Sequence, residues 1–299
     1  MKQTLTLLLG IISLTVFALK PQKEYSVRPE NYALIYKDLN VITDDGLKIK
    51  TWFFPAQEFI PKETVLDYYK NPRLRPYQVL DSVPKPTIII CDGDAGNMMY
   101  LISFAKELVG YGYNVVTFDW RGFGESDSWE TDEDLLVYSE YLSDYKAVIR
   151  EVIKQDEVDK DRIGLYGFST GAYLSFATFY NQPEIKAFVG RGLLTDLKSA
   201  VDSIKQVIPD KTIIIPDDYP ENLMPINIAS KIDRPCFLVV GELDKRTPVS
   251  MSTTIFKMLE GEKQLWVVKD ATHGGATGPE FIDFKKFMSQ LRTFYDLNL

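Results

Sequence analysis

The feature that most constrains the fold is an alternation of two kinds of segment that begins at Thr87. Short apolar runs rich in Ile and Val alternate with longer stretches that suit helices, the pattern typical of parallel strands joined by helical crossovers. The runs are Thr87–Cys91, Asn114–Asp119, Arg162–Tyr166, Ile185–Val189, Cys236–Val240 and Gln264–Val268, and the helical stretches are Met98–Gly110, Asp132–Gln155, Thr170–Asn181, Val249–Leu259 and Pro279–Leu297. This order predicts an α/β fold, a mostly parallel sheet with helices on both faces.

The residues before Thr87 extend the predicted sheet. Asp38–Thr43 and Leu47–Phe54 are strand-like and are separated by Asp44-Asp45-Gly46, a hairpin turn sequence, which brings the predicted sheet to eight strands. Pro55–Pro86 is predicted to be an inserted loop with one short helix, and Asp196–Lys231 a small cap. Since no long linker divides the chain, we expect a single domain over residues 19–299.

Charge and composition exclude several classes of function. The net charge is −8, from 34 basic and 42 acidic residues, and such a surface repels the phosphate backbone of nucleic acids. The single histidine, His273, excludes a zinc site built on several histidines. No phosphate-cradling loop is present either. The sequence therefore predicts no nucleic-acid partner, no metal and no cofactor.

The N-terminus has the pattern of a secretory signal peptide. Lys2 precedes the mostly apolar stretch Leu5–Leu19, and Ala18 suits the position before a cleavage site, so Met1–Ala18 is predicted to be removed on export to the periplasm or the medium. The alternative is an uncleaved N-terminal membrane anchor. Export permits disulfides, but Cys91 and Cys236 fall in strand-like runs and are predicted to be buried and unpaired.

A candidate nucleophile follows the third run. Gly167-Phe168-Ser169-Thr170-Gly171 comes directly after Arg162–Tyr166 and opens a helical stretch. A strand, a sharp turn and a helix in this order form the context of a nucleophile elbow, in which the serine hydroxyl projects above the sheet. The small residues two before and two after the serine let strand and helix approach closely. The motif predicts that Ser169 is a nucleophile.

A serine nucleophile needs a base and an orienting carboxylate, and for this elbow the chain order is Ser, acid, His. Asp244 lies just past Cys236–Val240, and His273 lies just past Gln264–Val268, so both sit where parallel strands end. Glu242 is an alternative acid, although Asp244 matches the motif better. The sequence predicts Ser169, Asp244 and His273 as catalytic residues.

The loop after the first run supplies candidate donors for an oxyanion. Cys91-Asp92-Gly93-Asp94-Ala95-Gly96-Asn97 leads from a strand to a helix. The backbone amides of Thr170 and Asp94 are predicted to converge on the developing negative charge. Asp92 in this loop and Arg191, just beyond Ile185–Val189, are predicted to contact substrate.

These motifs resemble those of an α/β-hydrolase, in the compact serine-hydrolase group with monoglyceride-lipase-like, serine-aminopeptidase-like and acyl-protein-thioesterase-like members. The resemblance covers roughly Asp38 to Leu297, and Asp119-Trp120-Arg121-Gly122-Phe123-Gly124-Glu125-Ser126 is similar to the D-x-R-G-x-G-x-S turn of that group. It implies the α/β-hydrolase fold and the roles given above. One departure is that Asp92-Gly93-Asp94-Ala95-Gly96-Asn97 stands where the group has H-G-x-x-G-N. Two carboxylates beside the oxyanion donors disfavour an oxyanion unless they face a cation, and they favour a substrate with a free amine.

The function predicted from the sequence is that of an exported serine hydrolase. It would cleave a small-molecule carboxylic ester or thioester through an acyl-enzyme, and the lack of a propeller or large cap favours esters over peptides. A serine peptidase or aminopeptidase-like amide hydrolase is the alternative. A catalytically silent binding protein on the same fold is a third possibility, which the acidic loop keeps open.

Overall fold

The computed structural model describes residues 19–60 and 77–299. The predicted signal peptide Met1–Ala18 lies outside these residues, as does the middle of the predicted insertion Pro55–Pro86. The described ends of that insertion pair with each other, because Gln57–Phe59 and Tyr77–Val79 form a two-stranded antiparallel sheet.

Twelve strands occur in the described residues. In chain order they are β1 (Lys20–Pro21), β2 (Lys37–Ile42), β3 (Lys48–Phe54), β4 (Gln57–Phe59), β5 (Tyr77–Val79), β6 (Lys85–Cys91), β7 (Ala95–Gly96), β8 (Asn114–Phe118), β9 (Val158–Phe168), β10 (Ile185–Arg191), β11 (Cys236–Gly241) and β12 (Lys263–Val268).

Eight of these strands form the central sheet, in the order β12-β11-β10-β9-β6-β8-β3-β2. β3 is antiparallel to both β2 and β8, and the pairs from β8 across to β12 are all parallel. The predicted apolar runs and the predicted hairpin all lie in this sheet. The mostly parallel eight-stranded α/β fold is therefore confirmed.

Eight α-helices occur in the described part of the chain. They are α1 (Ile102–Gly110), α2 (Tyr141–Val152), α3 (Thr170–Asn181), α4 (Leu197–Val207), α5 (Pro225–Ile228), α6 (Val249–Met258), α7 (Pro279–Ile282) and α8 (Phe284–Asn298). Among them, none is both long enough and apolar enough to cross a bilayer.

Helices cover both faces of the sheet, and each face has its own apolar core. Residues of α2, α3, α4 and α6 share one core with Ile89, whereas α1 and α8 share the other with Ile88. Neighbouring side chains of a strand point to opposite faces, so each central strand is buried twice and its sequence is apolar throughout. Cys91 and Cys236, both on central strands, are buried and free.

Two predicted helices differ from the structure. The helix expected from Asp132 begins only at Tyr141, because the residues before it pair with the cap segment: Leu136 N–H donates to Ile214 O and Ile214 N–H donates to Asp134 O. The helix expected over Pro279–Leu297 is divided at Asp283, whose side chain accepts a hydrogen bond from Lys286 N–H and begins α8.

A short strand that the sequence did not predict lies beside the candidate oxyanion loop. In β1, Lys20 and Pro21 pair in parallel with Ala95 and Gly96 of β7. The amide of Lys20 donates to the carbonyl of Asp94 at 2.8 Å. The residues that directly follow the predicted signal peptide therefore hold this loop in place.

Candidate active site

Ser169 lies in a strained turn between β9 and α3. Its backbone angles are φ 54° and ψ −122°, a region that L-residues rarely adopt outside functional turns. A Cβ on Gly167 would lie 2.6 Å from the carbonyl oxygen of Gly171, and a Cβ on Gly171 would lie 1.9 Å from that of Asp92. Both glycines are therefore needed for the strand, the helix and the oxyanion loop to meet at the serine.

The three side chains predicted to be catalytic form one hydrogen-bonded line. Ser169 Oγ lies 2.9 Å from His273 Nε2, and His273 Nδ1 lies 2.8 Å from Asp244 Oδ2. The serine follows β9, the aspartate follows β11 and the histidine follows β12, so adjacent ends of parallel strands bring them together. The arrangement has the connectivity of a nucleophile, a base and an orienting acid.

Asp244 is held by hydrogen bonds at both carboxylate oxygens. Its Oδ1 accepts the backbone N–H groups of Arg246 and Thr247, each at 2.9 Å, and its Oδ2 accepts the hydroxyl of Thr247 at 2.8 Å. Burial raises the pKa of Asp244, but the hydrogen bonds from His273 and Thr247 outweigh burial and hold that pKa below its ordinary value. The carboxylate is therefore ionised at neutral pH.

Thr247 is a site residue that the sequence reasoning missed. Its hydroxyl lies 3.2 Å from His273 Nδ1 as well as binding Asp244. The spacing Asp-x-x-Thr is the available signal, since an aspartate often accepts backbone N–H groups two and three residues later in a turn.

The surroundings of His273 favour its neutral form. Burial lowers the pKa of the imidazole, the hydrogen bond to Asp244 opposes that effect, and the positive charges of Arg246 and Arg191 lower the pKa further. The net result is a pKa below the ordinary histidine value. A neutral imidazole beside a serine hydroxyl can accept its proton.

Arg191, predicted to contact substrate, borders the larger of two cavities at the site and makes several contacts with protein groups. Its Nη1 donates to the carbonyl of His273 at 2.8 Å, and its Nη2 pairs with Glu280 Oε1 at 2.9 Å. The guanidinium lies 3.3 Å from the ring centroid of Phe168. These contacts make Arg191 a positioning residue for the loop that carries His273.

The two predicted oxyanion donors line one small pocket together with Ser169. Neither the amide of Thr170 nor that of Asp94 donates to any protein acceptor in the described residues. Both N–H groups are therefore available for a substrate oxygen, as an oxyanion site requires.

The two carboxylates of the oxyanion loop have different environments. Asp94 Oδ2 pairs with Arg246 Nη2 at 3.0 Å, so this charge does face a cation. Asp92 Oδ1 accepts the N–H of Gly93 at 2.8 Å. Burial raises the pKa of Asp92 to about 6, although the Gly93 hydrogen bond and the charge of Arg191 oppose this effect.

Two adjoining cavities open at the site. One, of about 730 Å³, is lined by His273, Arg246 and Leu243. The other, of about 840 Å³, has six aromatic side chains in its lining. Asp92, Ala95, Phe168 and Gly275 border both cavities, so a ligand at His273 can extend from the first into the second.

Glu242 and the motif residue Ser126 take no part in the hydrogen-bonded line. Glu242, the alternative acid, accepts a hydrogen bond from Asp270 N–H at its Oε2. Ser126 binds backbone groups, because its hydroxyl donates to the carbonyl of Asp119 and accepts from the N–H of Lys50. Ser126 thus braces the turn after β8.

The chain is similar to one protein family and to several uncharacterised relatives. The model of the prolyl oligopeptidase family, Peptidase_S9, matches residues 102–291. An uncharacterised protein of Mycobacterium tuberculosis is 23% identical over 258 residues, which cover 86% of this chain and 78% of the relative.

Solved structures share the fold at low sequence identity. An esterase of Pyrococcus furiosus is 20% identical with a TM-score of 0.70, covering 94% of this chain and 98% of its own. An acylaminoacyl peptidase of Pyrococcus horikoshii is 18% identical with a TM-score of 0.66, covering 89% of this chain and 42% of its own. Both similarities concern the α/β-hydrolase fold.

Proposed function

Because the chain belongs to the prolyl oligopeptidase family and is an α/β-hydrolase superfamily serine hydrolase, we propose that it cleaves a carboxylic ester or thioester through an acyl-enzyme. In this proposal Ser169 is the nucleophile, His273 the general base and acid, and Asp244 the residue that orients and stabilises the imidazole. The substrate is a small molecule.

The observation that carries the proposal is the hydrogen bond between Ser169 Oγ and His273 Nε2, at 2.9 Å. A serine hydroxyl is a weak nucleophile unless an adjacent base removes its proton, and the lowered pKa of His273 keeps that base neutral. The strained backbone of Ser169 supports the same role.

Acylation follows from these positions. Ser169 Oγ attacks the carbonyl carbon of the substrate while Nε2 of His273 takes the hydroxyl proton. The carbonyl oxygen becomes an oxyanion, which the amides of Thr170 and Asp94 stabilise. When the intermediate collapses, the bond to the leaving group breaks and His273 returns the proton to the departing alcohol or thiol.

Deacylation repeats the sequence with water as the nucleophile. His273 takes a proton from the water, the hydroxide adds to the acyl carbon, and a second oxyanion forms between the same two amides. Collapse releases the carboxylic acid and returns the proton to Ser169 Oγ. Asp244, ionised throughout, stabilises the imidazolium in both halves of the reaction.

Ester cleavage is favoured by the six aromatic side chains in the lining of the larger cavity, which suit the apolar part of an acyl group. The esterase of Pyrococcus furiosus also matches this chain over nearly its whole length. Amide cleavage is the second candidate, and family membership favours it, since the family model is that of a peptidase.

Labelling with a fluorophosphonate probe tests the enzyme proposal. The folded protein should be labelled, and Ser169→Ala should not be. Ser82→Ala is the matched control, because this serine is exposed and precedes β6, whereas Ser169 follows the opposite end of the parallel strand β9. An unlabelled wild type, or labelling that persists in Ser169→Ala, would favour the silent binding protein instead.

A substrate panel separates ester from amide cleavage. It would compare p-nitrophenyl esters of increasing acyl length with aminoacyl p-nitroanilides. We expect at least one ester to have a higher kcat/KM than every amide. Faster turnover of the amides would reverse the order of the two candidates.

We also propose that the protein is exported, with Met1–Ala18 removed as a signal peptide. The support is the charged start, the apolar stretch and the small residue before the expected cleavage point. Mass spectrometry of the protein from the periplasm or medium should find an N-terminus at Leu19. An intact Met1 on protein in the cytoplasmic fraction would contradict export, and an intact Met1 in the membrane would favour the anchor.

A further inference from the structure

The larger cavity beside the candidate active site is an aromatic chamber with a carboxylate at its entrance. Its volume is about 840 Å³, and six aromatic side chains line it: Tyr100, Phe104, Tyr166, Phe168, Phe281 and Phe284. Asp92 borders this chamber and also the cavity that contains His273. A substrate group that extends from the cavity at His273 into the chamber therefore passes Asp92.

Four charged residues line the chamber, Lys20, Arg191, Asp92 and Glu280, and only Arg191 and Glu280 form an ion pair with each other. Each of the three guanidinium nitrogens of Arg191 has a protein partner: Glu280 Oε1, the carbonyl of His273 and the hydroxyl of Tyr166. Glu280 is 7% exposed, and its Oε2 has no hydrogen-bond partner among the described residues. Two carboxylates thus face a single buried guanidinium.

Of the two carboxylates, Glu280 forms an ion pair with Arg191 and Asp92 forms none in the described residues. The one side-chain hydrogen bond of Asp92 in the described residues comes from the neutral N–H of Gly93, and no ion pair reaches it there. Lys20 also borders the chamber, but its side chain is exposed at the rim. The raised pKa of Asp92 agrees with a carboxylate that has lost water without gaining a cation.

An ammonium group would satisfy both features of this chamber. A carboxylate without a cation binds a positively charged nitrogen by a charge-assisted hydrogen bond, and aromatic faces attract the same charge. An anionic group would be repelled, and a purely apolar group would leave the Asp92 carboxylate without its solvent or a partner.

We propose that the chamber binds a positively charged nitrogen on the acyl group of the substrate, with Asp92 as its acceptor. The inference rests on the proposed function, because it names the substrate class of the same site. Asp92 is then the specificity-determining residue, and the substrates are aminoacyl esters or related amides with a free amine.

Two esters that differ only in the ammonium group test this inference. They are the p-nitrophenyl esters of phenylalanine and of 3-phenylpropanoic acid, assayed with the wild type and Asp92→Asn. The measured quantity is the kcat/KM ratio of the ammonium ester to the neutral one. Comparing this ratio between the two proteins cancels the different chemical reactivity of the esters. The Asn oxygen can still accept the N–H of Gly93.

The ratio should fall at least tenfold in Asp92→Asn and stay at the wild-type value in Asp161→Asn, which removes an exposed carboxylate elsewhere. An unchanged ratio in Asp92→Asn would overturn the inference. If that variant does not fold, competitive inhibition of the wild type decides: 2-phenylethylammonium should bind at least tenfold more tightly than 2-phenylethanol, and equal or weaker binding overturns it.

The neutral ester distinguishes the inference from the function on which it rests. If the neutral ester is hydrolysed and the preference for the ammonium ester is the same in Asp92→Asn as in the wild type, the inference is overturned but the proposed function is not. If neither ester is hydrolysed and the fluorophosphonate does not label Ser169, the proposed function fails and the inference fails with it.

Discussion

Arg191 donates a hydrogen bond of 2.8 Å to the backbone carbonyl of His273, although Arg191 ends β10 and His273 lies in the loop after β12. The guanidinium also stacks on Phe168, whose ring centroid is 5.1 Å from that of the imidazole. The proposed base is therefore held from its backbone and from its ring face by one arginine and the residue before Ser169.

Replacing Arg191 should impair catalysis through the position and the pKa of His273. We expect Arg191→Met to lower kcat/KM by about tenfold to a hundredfold, since a displacement of the base of about 1 Å has effects of that size. The charge of Arg191 lowers the pKa of His273, so its removal should raise that pKa and move the acidic limb of the rate profile to higher pH. The measurement is kcat/KM from pH 4 to 9.

If Arg191 had only a structural role, its replacement would not shift the acidic limb of the kcat/KM profile. Arg191→Met also leaves the Glu280 carboxylate buried without its cation, which typically costs about 3–5 kcal/mol of stability. The double variant Arg191→Met/Glu280→Gln should recover much of that stability, as measured by chemical denaturation, but not the activity. Full recovery of activity in the double variant would contradict a direct effect of Arg191 on His273.

The pairing of Arg246 with Asp94 should protect the oxyanion. Asp94 carries a carboxylate on the residue whose amide is a proposed donor, and Arg246 neutralises it at 3.0 Å. We expect Arg246→Gln to lower kcat by roughly tenfold, about 1.4 kcal/mol of transition-state free energy. Steady-state kinetics with one ester would measure the loss.

The neighbouring residue offers a matched control for this charge. Lys245→Gln removes the same formal charge from an exposed side chain, and its kcat should stay within about twofold of the wild type. Asp94→Asn combined with Arg246→Gln should regain most of the lost activity, because the carboxylate is then absent as well. An equal loss in Lys245→Gln would show that the effect is only one of overall charge.

The parts of the molecule that the sequence predicted depend on local patterns. The strands of the central sheet are short apolar runs, and Ser169, Asp244 and His273 follow three of them in the order that the elbow motif requires. The proximity of the three residues follows from the fold, because the carboxyl ends of parallel strands lie at one edge of the sheet.

The structural features that the sequence did not predict depend on contacts between distant segments of the chain. Arg246 and Asp94 are 152 residues apart, and no local pattern links them. The pairing of β1 with β7 and of Leu136 with Ile214 uses backbone groups, which every sequence has. The same pairing explains why a stretch with helical composition after Asp132 is not helical: its amides and carbonyls have other partners.

Close backbone approach at the elbow should make Gly171 irreplaceable. A Cβ on Gly171 would lie 1.9 Å from the carbonyl oxygen of Asp92, a contact that requires the oxyanion loop to move. We expect Gly171→Ala to cost at least about 1–3 kcal/mol of stability and to abolish measurable ester hydrolysis. Chemical denaturation and the ester assay would measure the two effects.

Gly110→Ala is the control for that substitution. Gly110 is the last residue of α1, and a Cβ there meets nothing within 4 Å. Alanine is the better helix former, so this variant should be as stable as the wild type or more stable by up to about 1 kcal/mol, with unchanged activity. Full activity in Gly171→Ala would contradict the geometry of the elbow.

Asp119 is a buried carboxyl group whose protonation should couple stability to pH. It is 2% exposed, its Oδ1 accepts the N–H of Met98 at 2.7 Å, and its Oδ2 accepts the hydroxyl of Tyr25. Burial raises the pKa of Asp119 to about 7, even though these two hydrogen bonds oppose the effect. The folded protein therefore holds this proton at a pH where an unfolded aspartate, with a pKa of about 3.9, has lost it.

Stability should therefore fall as the pH rises from about 4 to about 7, because unfolding releases the Asp119 proton over that interval. The stabilisation by the Asp119 proton is complete below the pKa of the unfolded aspartate and is lost as the pH rises through the pKa of Asp119 in the folded protein. It amounts to a few kcal/mol at most. Asp119→Asn can keep the hydrogen bond from Met98 and cannot titrate. Denaturation in urea at several pH values would measure the free energy of unfolding of both proteins. As the pH increases, the wild type should lose stability relative to the variant. A difference that stays constant from pH 4 to 8 would show that Asp119 is ionised in the folded protein throughout.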